Sequence, residues 1–285
     1  MNDEIFTQSL DNITVRIRDH HDFSFLKQLG QVFRVFDAQD SGNICFGVDT
    51  GTEKLFVKYA GAQTINYQGQ PADAIDRLTQ AMPVYNACRH PNLVELREHF
   101  PLRAGYAAIF SWFPGESLHG FRAMTPEQHD VPTFRHRQLP LAQRLDSLED
   151  IFAFHEHVAR QGYVAIDFYD ASLLYDFTRM RTMICDIDAY APRPYTNTMG
   201  RMWGSSRFMS PEELELGAAI DEVSNVFTMG ATAFVLLGGG SDRSLEKWEG
   251  NAAKFNVARK AADLDRNQRY PSIAAFRQAW HAAKG

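Results

Sequence analysis

The stretch GYVAIDFYDASLLYDFTRMRTMICDIDAY, residues 162–190, decides how this chain is read. Two short apolar runs, 172–175 and 183–185, flank a polar turn at 176–182, which is the pattern of a small β-hairpin. Asp167 stands a few residues before the first run, and Asp186 follows the second directly. Carboxylates gathered at one end of a hairpin repel one another unless a metal or a basic group joins them. Asp170, Asp186 and Asp188 are also good turn residues, because Asp satisfies backbone N–H groups locally. The local sequence leaves both accounts open, a site and a set of turns, and the rest of the chain has to decide between them.

Working outward, the bulk properties describe an ordinary folded protein. The 285 residues are enough for one large or two ordinary domains. A hydrophobic fraction of 45% beside 22% charged residues excludes disorder as the default. The formal net charge of −6 argues against a general binder of nucleic-acid backbones. Cys45, Cys88 and Cys185 are far apart and lack metal-ligand spacing, so free thiols in a reducing compartment are expected. The N-terminus lacks the pattern of a secretory signal, and even 231–237 is too short an apolar run to span a bilayer. The expectation is a cytoplasmic protein with neither membrane nor nucleic acid as partner.

Before the hairpin, strands are expected at 13–17, 32–36, 43–48 and 54–59, with turn-rich DAQDSG and DTGTE between the last three. Residues 23–29 read as a further strand, as do 93–96 and 106–113. A helix over 71–87 carries apolar residues at Ile75, Leu78, Met82 and Tyr85, with Pro83 bending or restarting it. Pro114 and Gly115 mark a change of character. Residues 120–140 read as an irregular, exposed insertion, and 141–162 as a strong helix stopped by Gly162. Behind the hairpin an irregular segment runs to Met209, followed by helices at 211–216, 222–237, 244–262 and 273–284. The fold class is α+β, a sheet-rich front and a helix-rich back in a two-lobe plan whose cleft is the natural ligand site.

Several motifs recur at long range. GSSRFMSPEE, residues 204–213, is similar to the G-T-x-x-Y-M-A-P-E segment that ends a kinase activation segment, with Ser205 at its threonine and Glu212 at its buried acid. RNQRYPS, 266–272, places Arg269 where the partner of that acid belongs. NVFTMGATAFVLLGG, 225–239, carries Asn225 at the usual aspartate, and an amide still accepts a hydrogen bond from a backbone N–H. LFVKYA, 55–60, matches V-A-I-K. AIDFYDASLL, 165–174, lies over H-R-D-x-x-x-x-N, and Asp186–Ile187–Asp188 over D-F-G.

In this order and spacing the motifs resemble the protein-kinase superfamily, specifically the bacterial relatives of eukaryotic-type Ser/Thr kinases, over roughly residues 23–284. The resemblance implies a bilobal fold: an extension at 1–22, an N-lobe and hinge at 23–113 with a small antiparallel sheet and one helix, and a mainly helical C-lobe at 114–285. It implies a Ser/Thr protein kinase, a transferase that takes ATP and Mg²⁺ or Mn²⁺ and acts on a protein substrate. Asp167 would be the catalytic base and Lys58 would hold the α- and β-phosphates. Gly30, in LGQVFRVF, would be what remains of the glycine-rich loop. Ser111, Trp112 and Phe113 of IFSWFPGESL would offer backbone groups to adenine, behind Phe110 at the gatekeeper position. Asp186 and Ser172 would bind metal, with Asp188 or Asp170 supplying what a serine hydroxyl supplies poorly.

The departures imply alternatives. The helix glutamate that pairs with the lysine falls near Gln80 and Ala81; Asp73 and Asp76 lie one or two turns earlier. Ile166 replaces the arginine that grips a phosphorylated loop, and Tyr169 replaces the loop lysine. These changes suit a pseudokinase or nucleotide-binding interaction module. A missing loop lysine with D-x-D also suits a small-molecule phosphotransferase of the aminoglycoside-kinase kind. Candidate acceptors within the chain are Thr196, Thr198, Ser205 and Ser206.

Overall fold

The alternating and 3.6-residue periodicities become an α+β structure in a computed structural model, which describes residues 5–119 and 131–284. The chain splits into two compact units: Met1–Arg89 with Val94–Phe113, and His90–Leu93 with Pro114–Gly285.

The first unit is built on one antiparallel sheet. Its elements are β1 (Phe6–Leu10), β2 (Ile13–Ile17), α1 (Leu26–Leu29), β3 (Gln31–Phe36), β4 (Asn43–Asp49), β5 (Lys54–Ala60), α2 (Pro71–Ala87), β6 (Leu96–Leu102) and β7 (Gly105–Ser111). The five-stranded sheet runs β3-β4-β5-β7-β6, while β1 and β2 form a separate hairpin. Because side chains alternate along a strand, Leu55, Val57 and Tyr59 of β5 share one face with Ile44, Phe46, Val48, Ala107 and Ile109. That face meets Val15 and Ile17 of the hairpin together with Phe23 and Leu26, so residues of the 1–22 stretch are part of this core. Arg16 ties the hairpin to the sheet through two hydrogen bonds from its guanidinium to Asp37, at 2.7 and 3.1 Å. Burial pushes the Asp37 carboxyl up, but these bonds and one from the Arg16 backbone hold it below the ordinary carboxylate value.

The other face of the sheet carries Phe56, Lys58 and Phe110, and Tyr85 of α2 packs its ring 5.0 Å from Phe110. Pro83 neither stops nor restarts α2, which runs unbroken from Pro71 to Ala87. Pro83 is exposed while Met82 and Val84 on either side are buried, so packing outweighs the one hydrogen bond that proline forfeits. Residues 23–29 are a turn and the short α1 rather than a strand, and 93–96 contributes only Leu96 to β6.

The second unit contains β8 (Glu116–Ser117), α3 (Pro132–Arg137), α4 (Leu141–Arg160), β9 (Tyr163–Val164), β10 (Leu173–Asp176), β11 (Arg181–Ile184), β12 (Ala191–Pro192), β13 (Tyr195–Thr196), β14 (Ala219–Ile220), α5 (Glu222–Leu237), α6 (Ala252–Ala261) and α7 (Ile273–Ala282). Helix α4 lies against α5 and α7, with Phe152 stacked edge-on to Phe276 and Trp280. Asp221 caps α5 by accepting the Val223 N–H at 2.8 Å, and from Ser224 to Leu237 every residue of α5 is buried. The sequence 132–137, expected as irregular and exposed, is a helix whose Thr133 and His136 point inward; polar inward residues hid its amphipathic pattern. The rest of that expected insertion, 120–130, lies outside the described residues. The helix expected over 244–262 is a single turn at Leu245–Lys247 followed by α6, whose start Asn251 caps by accepting the Lys254 N–H. Likewise 211–216 is a 3₁₀ turn at Pro211–Leu214 rather than a helix.

Candidate active site

In the second unit the hairpin of the opening stretch is present, with Leu173 opposite Ile184 and Asp176 opposite Arg181. Its tip is closed by Asp176, whose carboxylate accepts the N–H groups of Thr178 and Arg179 and pairs with the Arg179 guanidinium. At the open end, the Cys185 N–H donates to the Ser172 carbonyl at 2.9 Å, which extends the ladder by one pair. Ser172 and Asp186 are therefore neighbours across the hairpin mouth. Asp186 is exposed and its carboxylate accepts the Asp188 N–H at 3.4 Å, so these two acids share one turn.

Asp167 owes its position to what anchors the residues beside it. The Asn225 amide on α5 accepts the Ala165 N–H at 2.7 Å and donates to the Ala165 carbonyl at 2.8 Å, pairing with that backbone as a strand would. Ile166 is buried with Val164, Met202, Met209 and Ile220. On the other side, the Phe168 ring lies 4.3 Å from the fully buried His155 and 6.4 Å from Phe208. Held from both directions, Asp167 adopts φ 63°, the left-handed conformation that Asp tolerates better than most residues. Gly204 lies against it: a Cβ on Gly204 would stand 3.1 Å from the Asp167 carboxylate and 3.4 Å from its Cα. With φ +108° and this approach, position 204 requires glycine.

The 204–213 segment is fastened to the same loop. Arg207 pairs at 2.7 Å with Asp170, which is 1% exposed, and Glu212 takes two hydrogen bonds from Arg269 at 2.6 and 3.1 Å. Burial, the largest single influence, pushes the Glu212 carboxyl up, yet the bonds from Arg269, Ser224 and its own backbone together hold it below its ordinary value. The adjacent Glu213 goes the other way: burial raises it to about 7 against the bonds from Ser210. His155 is pushed down to about 4 by burial, which keeps it neutral between the Ile151 carbonyl and the Tyr190 hydroxyl. The Glu212–Arg269 pair and the Asn225 anchor were legible as motifs. Asp170–Arg207 was not read as a pair; its one signal was an arginine set alone in the apolar run following two serines.

In the first unit Lys58 is only 6% exposed and sits on β5 between Cys45 and Ala108. Phe36, Cys45, Lys58 and Ala108 form one row across four strands. Gly30 is not near that row. It adjoins Gln31, which pairs with Asp49 four residues along β4 from Cys45, or roughly 14 Å away. Its φ of +152° serves close packing, since a Cβ there would overlap the Asp49 carbonyl. The turn at the Lys58 end of the sheet is 37–42, DAQDSG, with Gly42 as its one glycine.

Ser111, Trp112 and Phe113, expected to offer backbone groups to adenine, are also more committed than their sequence implied. The Ser111 N–H donates to the Glu95 carbonyl and the Trp112 N–H to the Lys54 carbonyl. Of the three N–H groups, Phe113's is the one without an acceptor among the described residues. Around them Phe33, Phe36, Phe56, Phe110 and Trp112 form a chain of ring contacts at 5.0 to 6.4 Å. Asp73 on α2 closes a capping box with Gln70 and Asp76 is exposed.

Among the described residues, no three His, Cys, Asp or Glu side chains form a metal-binding group. Asp186 and Asp188, two residues apart in one turn, are the donors that suit Mg²⁺, which takes one or two carboxylates and fills its remaining positions with water and phosphate oxygens. No helix of the described residues is long and apolar enough to cross a membrane. No protein-family model matches the chain, and no curated protein resembles it significantly.

Proposed function

We propose that this chain is an ATP-dependent phosphotransferase of the bilobal protein-kinase type, transferring the γ-phosphoryl group to Ser or Thr hydroxyls of proteins. The observation that carries the reading is the anchored carboxylate of Asp167, clamped through Ala165 by Asn225 and touched by Gly204 of a segment that Glu212 and Arg269 hold down. In this reading Asp167 orients the acceptor hydroxyl and takes its proton. The acceptor oxygen then bonds to the γ-phosphorus as the bond to the bridging β–γ oxygen breaks, and ADP leaves. Asp186 and Asp188, with Ser172 beside them, hold Mg²⁺ or Mn²⁺, which when bound offsets the charge of the phosphates. Lys58 supplies the cation for the α- and β-phosphates.

Transfer from labelled ATP to a generic protein acceptor, with Mg²⁺ or Mn²⁺, tests this. Asp167→Asn keeps a residue that accepts the left-handed backbone and removes the base, so transfer drops about a hundredfold or more while nucleotide binding persists. Equal transfer by the variant removes the assigned role.

A second reading, an interaction module that does not turn over nucleotide, is favoured by one set of observations in the first unit. Ser111 and Trp112 spend their N–H groups internally, Gly30 lies away from Lys58, and aromatic rings crowd the Lys58 face. Absence of both ATP binding and transfer selects it.

A further inference from the structure

Residues 195–203 and 212–220 of the second unit run side by side in opposite directions. Tyr195 pairs with Ile220 and Thr196 with Ala219. Farther along, the Asn197 N–H donates to the Ala218 carbonyl at 2.9 Å, the Gly217 N–H to the Asn197 carbonyl at 2.7 Å, and the Met202 N–H to the Glu213 carbonyl at 2.9 Å. The buried Asn197 side chain staples the pair, accepting the N–H groups of Met199 and Gly200 and donating to the carbonyls of Gly200 and Glu212. The result is a platform whose inner backbone groups are largely satisfied by itself.

Four of the side chains that this platform exposes are large and apolar. Met199 is 41% exposed, Trp203 51%, Leu214 51% and Leu216 70%. Nine large hydrophobic residues are exposed among the described ones, and these four fall in two short paired segments, which is a concentration rather than a scatter. Their exposed area is on the order of several hundred Å², the size at which an apolar patch marks a contact with another molecule.

Two charges set among these residues indicate which molecule. Arg201 and Glu215 are both exposed and nearly opposite each other on the two segments. Arg201 gives its guanidinium to the carbonyls of Met202 and Gly204, and neither it nor Glu215 takes part in an ion pair among the described residues. A partner that is only acidic or only basic answers one of these charges and repels the other. A second copy answers both, because a two-fold contact needs a surface complementary to itself. We propose that this platform is where two copies of the chain pair, strip against strip, with Arg201 of each facing Glu215 of the other.

Sedimentation velocity on the full chain over a hundredfold range of concentration tests the proposal without nucleotide, so its outcome is separate from that of the phosphotransferase reading. The wild type shifts toward twice the chain mass as concentration rises. Trp203→Glu combined with Leu216→Glu, both at exposed positions and checked for native circular dichroism, stays at the chain mass throughout. Arg201→Glu weakens pairing by about tenfold, and adding Glu215→Arg restores it, a rescue that indiscriminate stickiness does not give. A wild type that remains monomeric, a charge swap without rescue, or a Trp203/Leu216 variant that still pairs overturns it. So does a monomeric chain whose Trp203 emission shifts to the blue on addition of an apolar peptide, which assigns the strip to a different polypeptide.

Discussion

The loop around Asp167 and the sheet face around Lys58 are built on opposite principles. At Asp167 the neighbours are fixed so that one carboxylate stands out: Ala165 is gripped by an amide, Ile166 and Phe168 are sunk in apolar packing, and Gly204 is kept bare to leave room. At Lys58 the charged residue is itself drawn in, 6% exposed, on a sheet face that carries a chain of large rings and ends at Ser111 and Trp112, whose N–H groups are already donated. One region holds a carboxylate in place at the cost of backbone strain; the other is packed like a core. Departures from the motif pattern legible in the sequence are therefore not spread evenly. The loop that carries Asp167 keeps its supports, whereas the sheet face that carries Lys58 is filled with aromatic rings.

The largest effect is expected where the supports of Asp167 are removed. Arg269→Met strips Glu212 of its bidentate partner in a buried setting, leaving the longer Arg266 contact at 3.3 Å and the bond with the Ser224 hydroxyl. Leaving that carboxylate largely uncompensated costs about 3–5 kcal/mol by urea unfolding, and Glu212→Leu added to it recovers a good part. A loss under 1 kcal/mol for Arg269→Met would mean the 204–213 segment is held by packing and the Arg207–Asp170 pair rather than by Glu212.

A smaller effect follows from the adjacent acid. The folded-state value of Glu213, raised to about 7 from the ordinary 4.5, means the native state binds a proton that the unfolded chain releases. Its contribution to stability is therefore fully present below pH 4.5 and is lost as pH rises through 7, on the order of 3 kcal/mol in total. Glu213→Gln keeps an oxygen for the Ser210 N–H and has no proton to lose, so the stability difference between variant and wild type should widen from pH 5 to pH 8. His155, lowered to about 4, acts with the opposite sign, contributing above pH 6.5 and losing that contribution as pH falls. It is common to both proteins and cancels in the difference. A pH-independent difference would place the Glu213 carboxyl in water.

How much of this was legible depends on the range of the signal. Strand alternation at 54–60 and 43–49, the apolar run of α5 and the hairpin at 173–184 are local patterns that burial enforces, and they were readable from sequence. The Glu212–Arg269 pair and the Asn225 anchor span 57 and 60 residues; recurrence of a motif order made them visible, since no local rule connects such positions. What stayed hidden was register. Nothing in LGQVFRVF says which end of β3 adjoins the Lys58 row, and Gly30 proved to be at the far end, packed against Asp49. The commitment of the Ser111 and Trp112 N–H groups to Glu95 and Lys54 is likewise a pairing between segments and leaves no trace in either one.

The smallest effect tests whether the filling of the Lys58 face governs nucleotide binding. Phe56 stands where V-A-I-K has its alanine; it is half-buried, and its ring contacts Phe36, Phe110 and Trp112 at 5.9 to 6.4 Å. Phe56→Ala removes one ring from that chain. A half-buried phenylalanine truncated this way costs about 1–2 kcal/mol of stability, below the range for a fully buried one. If the ring is what limits access, ATP affinity measured by calorimetry rises several-fold despite that loss, and transfer at low ATP rises with it. Affinity that stays flat or falls would mean the rings form part of the surface a base stacks on, since an aromatic face holds a planar base well. The sign of that one change separates a face closed to nucleotide from a face that reads it, and with it how deep the contrast with Asp167 goes.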